Sequence, residues 1–339
     1  MNQAIAKKQI KIQQVDFQPP FWAKNCHVQS LLGTVKFRRP LLIKKAKTML
    51  AASREILLEA GTDETGAEVK LQSFFSPQPD PKTTTVILIH GWEGSHESLY
   101  LLSSANSLYQ AGYQVLRLNL RDHGSSHHLN RALFHSNRLH EVVNAVRFAQ
   151  QNLEFDNTHL IGFSLGGNFA TRIAEQANSN HIRLNKTLAI CPAINPMDIL
   201  HQLENGLSFY HDYFIKKWKR SLRKKQQHFP DSYNFEQIYP MKSMRQMTEH
   251  LLQLFGDYQS AEEYFNGYAL SGEKLQNLDS DVTILMSKDD PVINYQDTFS
   301  LTQNEYLQIY SSQYGGHCGF IKNAKLESWA DDFILQQLA

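Results

Sequence analysis

The 339-residue chain lacks an excess of either charge: 34 lysines and arginines face 33 aspartates and glutamates, a formal +1. No global field is available to hold a polyanion, which argues against nucleic acid as a partner. Cysteine is scarce, with Cys26, Cys191 and Cys318 the whole set. An odd, sparse set of thiols in so long a chain argues against a disulfide scaffold and fits a reducing, cytoplasmic setting. No run approaches the ~18–20 uncharged apolar residues that span a bilayer. The opening Met1–Gln14 carries Lys7, Lys8 and Lys11 but no apolar stretch of the kind a secretory signal needs. Internal repeats and low-complexity tracts are missing too. With 42% hydrophobic residues the chain can build a large core, which excludes disorder as its overall state.

What is present is an alternation. Arg54–Ala60 and Val69–Phe75 read as two strands about a turn, followed by a proline-rich surface connection over Ser76–Lys82. Thr83–Ile89 is β-branched nearly throughout, which suits a strand covered on both faces. A helix over Glu97–Gln110 precedes a strand over Tyr113–Leu120, with Gly112 as the helix stop. Leu139–Gln151 has helical spacing. The strand Thr158–Phe163, helix Leu165–Ala177 and strand Thr187–Cys191 follow. Further on come Val282–Met286, a helix near Tyr295–Thr302, the strand Tyr306–Tyr310 and a closing helix over Ile321–Leu338. Strands and helices taking turns predict an α/β class: a mostly parallel sheet with right-handed crossovers and helices on both faces. Two segments stand outside that pattern. Residues 195–278 read as an inserted helical cap between the core segments 51–194 and 279–339. Residues 1–50 read as an extension whose Phe17-Gln18-Pro19-Pro20-Phe21-Trp22 cluster packs on the body.

Gly162-Phe163-Ser164-Leu165-Gly166-Gly167 falls where a predicted strand meets a predicted helix. The Gly-x-Ser-x-Gly pattern alone is weak, but that context is the one a nucleophile elbow needs. A sharp turn exposes the serine, and Gly162 and Gly166 leave room where the chain passes too close for side chains. The helix N-terminus then turns its amides toward developing negative charge. A serine hydroxyl requires a base, and in this chain order an acid precedes the histidine. Asp289-Asp290-Pro291 and Gly315-Gly316-His317 each follow a predicted strand, so both lie at the same sheet edge as Ser164. His317 would take the proton and the acid would orient and stabilise its cation. Asp290 is preferred over Asp289 from its register relative to the strand. The backbone amides of Trp92, in His90-Gly91-Trp92-Glu93-Gly94, and of Leu165 would hold an oxyanion. His90 reads as a structural histidine that orders its loop. The histidines at 123, 127, 128, 135 and 140 match no metal-ligand spacing, and hydrogen-bonding duties in a loop explain them better than zinc or iron.

Taken in order, His90-Gly91, Arg121-Asp122-His123-Gly124-Ser125, Gly162-x-Ser164-x-Gly166-Gly167, Asp290-Pro291 and Gly316-His317 resemble an α/β-hydrolase. Within that superfamily the chain is similar to the YheT-like group of esterases and lipases, over about Phe17 to Phe333. Members open with a Pro-Pro-Phe-Trp-type segment followed by Asn-x-His-x-Gln, here Asn25-Cys26-His27-Val28-Gln29, and carry Ser-Leu-Gly-Gly-Asn at the elbow, here Ser164–Asn168. The His-rich stretch 127–140 departs from many relatives and bears on pocket shape. The resemblance implies hydrolysis of carboxylic esters, from small molecules or lipids, through a serine acyl-enzyme with no cofactor and no metal.

Two other functions compete with that reading. The same nucleophile could pass its acyl group to an alcohol or thiol, making an acyltransferase. A non-catalytic protein could bind lipid through residues 207–225, where seven cations fall between Lys216 and Lys225. Tyr210, Phe214, Trp218 and Leu222 recur there at four-residue steps, one helical stripe. A stripe packed on the body beneath solvated lysines is preferred over a helix lying on anionic lipid. The aromatic cap suggests acyl groups of short to medium length.

Overall fold

A computed structural model describes residues 11–79, 84–153, 155–256 and 258–339. Lys7 and Lys8, with Pro81, Lys82 and Thr83 of the proline-rich connection and following strand, lie outside the described residues. Nine strands form one sheet: β1 (Ile12–Val15), β2 (Arg54–Thr62), β3 (Glu68–Ser76), β4 (Thr85–Ile89), β5 (Gln114–Leu118), β6 (Thr158–Phe163), β7 (Lys186–Ile190), β8 (Val282–Ser287) and β9 (Leu307–Ser312). Their spatial order is β1-β9-β8-β7-β6-β4-β5-β3-β2. Pairing is parallel from β1 through β5, and β3 and β2 close the other edge antiparallel.

Eleven α-helices lie among the described residues. Three precede the main sheet: α1 (Cys26–Thr34), α2 (Arg39–Lys45) and α3 (Lys47–Ala52). The crossovers carry α4 (Leu99–Gln110), α5 (Leu139–Asn152) and α6 (Leu165–Glu175). Between β7 and β8 run α7 (Pro196–Asn205), α8 (Ser208–His228), α9 (Met244–Phe255) and α10 (Ala261–Gly267), and α11 (Trp329–Leu338) ends the chain.

The central strands are apolar on both faces because both faces are covered. On β4, Ile87 and Ile89 join the cluster formed with α5, α6 and the helices after β7, while Val86 and Leu88 join a second cluster with α4 and α11. Successive side chains of a strand point to opposite faces, so one five-residue run serves two cores.

The structure differs from the sequence reading at four places. The closing helix begins at Trp329, not Ile321. Asn323 Oδ1 accepts from the amides of Lys325 and Glu327, Leu326 takes a φ of +55°, and Ile321 bridges Ser328. A side chain that captures nearby amides competes with helix formation. The segment near Tyr295 is a 3-10 helix ending at Ser300. In the N-terminal cluster, Phe17 is buried and stacks 5.2 Å from Trp329, but Phe21 is 87% exposed and Trp22 also faces solvent. Strand β1 carries no alternation signal, since Ile12-Gln13-Gln14-Val15 is an edge strand paired with β9 alone. No helix among the described residues is long and apolar enough to cross a membrane.

Candidate active site

Ser164, Asp290 and His317 stand just beyond the carboxyl ends of β6, β8 and β9, and the structure brings them together. His317 Nε2 is 3.0 Å from Ser164 Oγ, and Nδ1 is 2.9 Å from Asp290 Oδ2. A neutral imidazole satisfies both contacts when Nδ1–H donates to Asp290 and Nε2 accepts from the serine hydroxyl. The Asp290 side chain is fully buried, and its other oxygen accepts from the amides of Val292 (2.8 Å) and Ile293 (3.0 Å). Asp289 turns elsewhere: it accepts from the Gly316 amide at 2.9 Å and from the Ser287 hydroxyl. Of the two neighbouring acids, then, Asp290 meets the imidazole and Asp289 braces the loop that carries it. Burial opposes protonation of His317, but the adjoining Asp290 carboxylate outweighs it and lifts the imidazole to about 9.

Ser164 sits at the N-cap of α6 with φ +54° and ψ −119°, a backbone state that costs about 1–3 kcal/mol outside glycine. Its amide donates to the Ile190 carbonyl and its own carbonyl accepts from Ala193 and Asn168, so neighbouring strands and the helix hold the turn. A Cβ on Gly162 would overlap the Gly166 carbonyl, and one on Gly166 would overlap the carbonyls of Ile89 and His90. Because both obstacles are backbone, neither can swing away. Gly162→Ala is therefore expected to destabilise the fold by at least the ~1–3 kcal/mol typical of overpacking, read as a lower midpoint of thermal unfolding. A midpoint equal to wild type would mean that the elbow tolerates a methyl group.

The two amides singled out for an oxyanion face no competitor. Leu165 is the first residue of α6, where no intrahelical acceptor exists. The Trp92 amide has no acceptor among the described residues, whereas its neighbour Gly91 donates to the Tyr100 hydroxyl at 2.9 Å. His90 is fully buried, with Nδ1 2.8 Å from the Gly91 carbonyl and Nε2 accepting from the Leu120 amide. Burial holds it well below the ordinary histidine value, so it is a neutral link between two loops. His123, His127 and His135 are likewise held low by burial, at about 4, 3 and 3. His123 meets the Arg121 carbonyl at 2.7 Å, and His127 reaches across to the Ser221 hydroxyl of α8 at 2.8 Å.

Several residues that shape this site belong to no catalytic motif. The N-terminal extension braces the histidine loop: Ser30 Oγ accepts from the His317 amide at 2.8 Å, and Gln29 bonds both the amide and the carbonyl of Ile321. Asn25 caps α1, and His27 Nδ1 lies 3.0 Å from the Tyr210 hydroxyl on α8. The motif Asn25-x-His27-x-Gln29 thus serves as a clasp between the extension, the histidine loop and α8. The lysines of α8 are not simply solvated. Lys225 is buried and pairs with Asp122 at 2.7 Å, while Lys217 and Lys224 donate to the carbonyls of Glu93 and Gly124. A lysine on a helical stripe of lysines gives no sequence sign that it alone turns inward.

Two spaces meet at Ser164. One, of about 110 Å³, is apolar and lies beneath the helices after β7, with Trp92, Leu165, Leu200, Phe214, Trp218 and Phe265 among its walls. The other, of about 710 Å³, is polar and runs past His317 along α8.

An alpha/beta hydrolase fold profile matches residues 84–324, well over half of the chain, and the chain belongs to that family. Within it the resemblance is to the YheT-like group. The chain is 22% identical to the Escherichia coli (strain K12) protein named "Putative esterase YheT", over 94% of this chain and 92% of that one. It is 19% identical to the human monoacylglycerol lipase ABHD2 over 95% of this chain and 79% of that one. Among solved structures, the Pyrococcus furiosus esterase Pf2001 superposes with a TM-score of 0.54 at 16% identity, covering 85% of this chain and 91% of that chain.

Proposed function

We propose that the protein is a serine hydrolase that cleaves carboxylic esters through an acyl-enzyme. The observation that carries this reading is the continuous contact from Ser164 through His317 to Asp290, with two unclaimed amides beside the hydroxyl. The esterase and lipase names of the relatives agree with it. In the proposed reaction Ser164 Oγ attacks the ester carbonyl and its proton passes to His317 Nε2. The amides of Trp92 and Leu165 receive the oxyanion, stabilisation that is worth most where water is excluded. His317 then protonates the departing alcohol. Water, deprotonated by the same imidazole, next attacks the acyl-serine to release the carboxylic acid and restore the hydroxyl. Asp290 keeps Nδ1 protonated and steadies the cation.

The helices α7–α10 serve as a cap in this reading, because their aromatic stripe closes over the serine. The apolar space of about 110 Å³ is small beside the ~300–1,000 Å³ of pockets for drug-sized ligands, which favours short acyl chains. An ester panel of increasing acyl length tests this: kcat/KM should peak at short chains and fall as the chain outgrows the pocket. A flat or rising profile would contradict it.

The raised His317 value sets a pH dependence. The base acts only when neutral, so kcat/KM is expected to climb with pH through the alkaline range toward about 9. Asp290→Asn should move that inflection downward and cut turnover by about 10⁴-fold. Stability runs the other way. A value raised from 6.5 to about 9 favours the folded state fully below pH 6.5 and loses that contribution as pH rises through 9. A pH–rate profile flat from 6 to 10 would contradict this assignment.

A further inference from the structure

Helix α8 divides the two spaces that meet at Ser164. Phe214 and Trp218 face the apolar one, while Lys217, Arg220 and Lys224, spaced three and four apart on one stripe, face the polar one. Ser164, Trp92 and the edge of the divider at Phe214 line both, so an ester carbonyl at the serine would send its acyl chain one way and its alcohol the other.

The polar cleft has cations in hand. Of its acids, Asp122 is committed to Lys225 at 2.7 Å and Glu97 to Arg39 at 2.7 Å. Glu93, the remaining one, points no carboxylate at a cation within ion-pair distance, and burial lifts it to about 7 against the pull of Lys217. None of Lys217, Arg220 and Lys224 forms an ion pair among the described residues. Lys217 and Lys224 each spend a hydrogen on a backbone carbonyl and keep the others free. The Arg220 guanidinium makes no hydrogen bond among the described residues. Burial, and after it the nearby Arg220 charge, push Lys224 below the ordinary lysine value, while the Glu93 carboxylate pulls the other way. Three donors of like charge, held by no ion pair and facing the through-space charge of Glu93, lie beside a reacting centre and make a receptor for an oxyanion with several acceptor atoms.

We infer that the cleft along Lys217, Arg220 and Lys224 is a leaving-group site, and that the enzyme prefers esters whose alcohol carries a phosphate, as in an acylated glycerol phosphate. The inference rests on the esterase reading above and adds the chemistry of the alcohol to it. The chemical step is unchanged: the acyl–oxygen bond breaks, the alcohol leaves with the proton from His317, and the phosphate stays on the alcohol untouched.

The test compares 1-butanoylglycerol with 1-butanoylglycerol 3-phosphate, two monomeric esters with the same short acyl group. Wild type is expected to show a kcat/KM for the phosphate ester at least about tenfold higher, carried mainly by KM. That ratio should shrink as sodium chloride is raised, because exposed charges are screened. Arg220→Ala should lower the ratio, Arg220→Glu should bring it to one or below, and Arg220→Lys should keep most of it. Position 220 is exposed, so these changes leave the core alone. A wild-type ratio near one, or a ratio indifferent to the charge at 220, would overturn the inference while Ser164-dependent turnover of 1-butanoylglycerol left the esterase reading standing. Turnover that survives in Ser164→Ala would remove that reading, and the inference with it.

Discussion

Ser164→Ala is expected to lower kcat on a short-chain p-nitrophenyl ester by at least about 10⁴-fold while leaving the fold intact. The reasoning separates chemistry from structure. The hydroxyl contacts His317 Nε2, but the turn itself is held by backbone bonds from the Ser164 amide and carbonyl and by Gly162 and Gly166. Removing one oxygen takes away the attacking atom, adds no volume and leaves those bonds in place. Far-UV circular dichroism and the thermal midpoint should therefore match wild type. The residual rate should lie above that of buffer, because the Trp92 and Leu165 amides and the pocket still bind the ester. A variant that retains wild-type kcat would exclude Ser164 as the nucleophile.

The second large effect lies on the far side of α8. Lys225→Ala is expected to cost about 3–5 kcal/mol of unfolding free energy, read from urea denaturation. Lys225 and Asp122 are 1% and 6% exposed at their side chains, and the ammonium also meets the carbonyls of Asn130 and Ala132. Burial pushes the Asp122 carboxyl above its usual range, and the neighbouring ammonium is what opposes that. Truncating Lys225 would leave a buried carboxylate with the Phe134 amide but no counter-charge, and would strip the ammonium from two carbonyls, the expensive way to break an ion pair. Replacing both partners, as Asp122→Asn with Lys225→Met, should recover much of the loss, since a matched apolar or neutral pair leaves no orphaned charge. If Lys225→Ala costs under about 1 kcal/mol, the pair behaves as an exposed surface bridge and its anchoring role fails.

Much of the fold was legible because burial on both faces writes a plain pattern. Thr158–Phe163 has the same ends in the sequence reading and in the structure, and the β4, β5, β7, β8 and β9 strands shift by a few residues at their ends. Strand β1 was not legible: four residues with two glutamines in the middle, paired along one edge, give neither alternation nor an apolar run. The helix over Ile321–Leu338 was overextended because apolar spacing says nothing of a competing asparagine turn at Asn323. In the candidate site, Ser164, Asp290 and His317 stand out because each follows a strand on the same sheet edge. Ser30 does not, and Gln29 is visible only as part of the Asn25-x-His27-x-Gln29 resemblance with no role attached, since their effect on the histidine loop depends on a contact nearly three hundred residues away along the chain. Lys225 hides among like neighbours. Local pattern reveals what a residue's own element demands of it, and long-range partners decide the rest.

Covalent capture is the most direct test of the central claim. Incubation with a fluorophosphonate, followed by intact mass and peptide mapping, should give one adduct per chain, on Ser164, with loss of ester turnover in step. The His317→Ala protein should label far more slowly. An adduct confined to another residue, or full turnover persisting with Ser164 fully modified, would contradict the account.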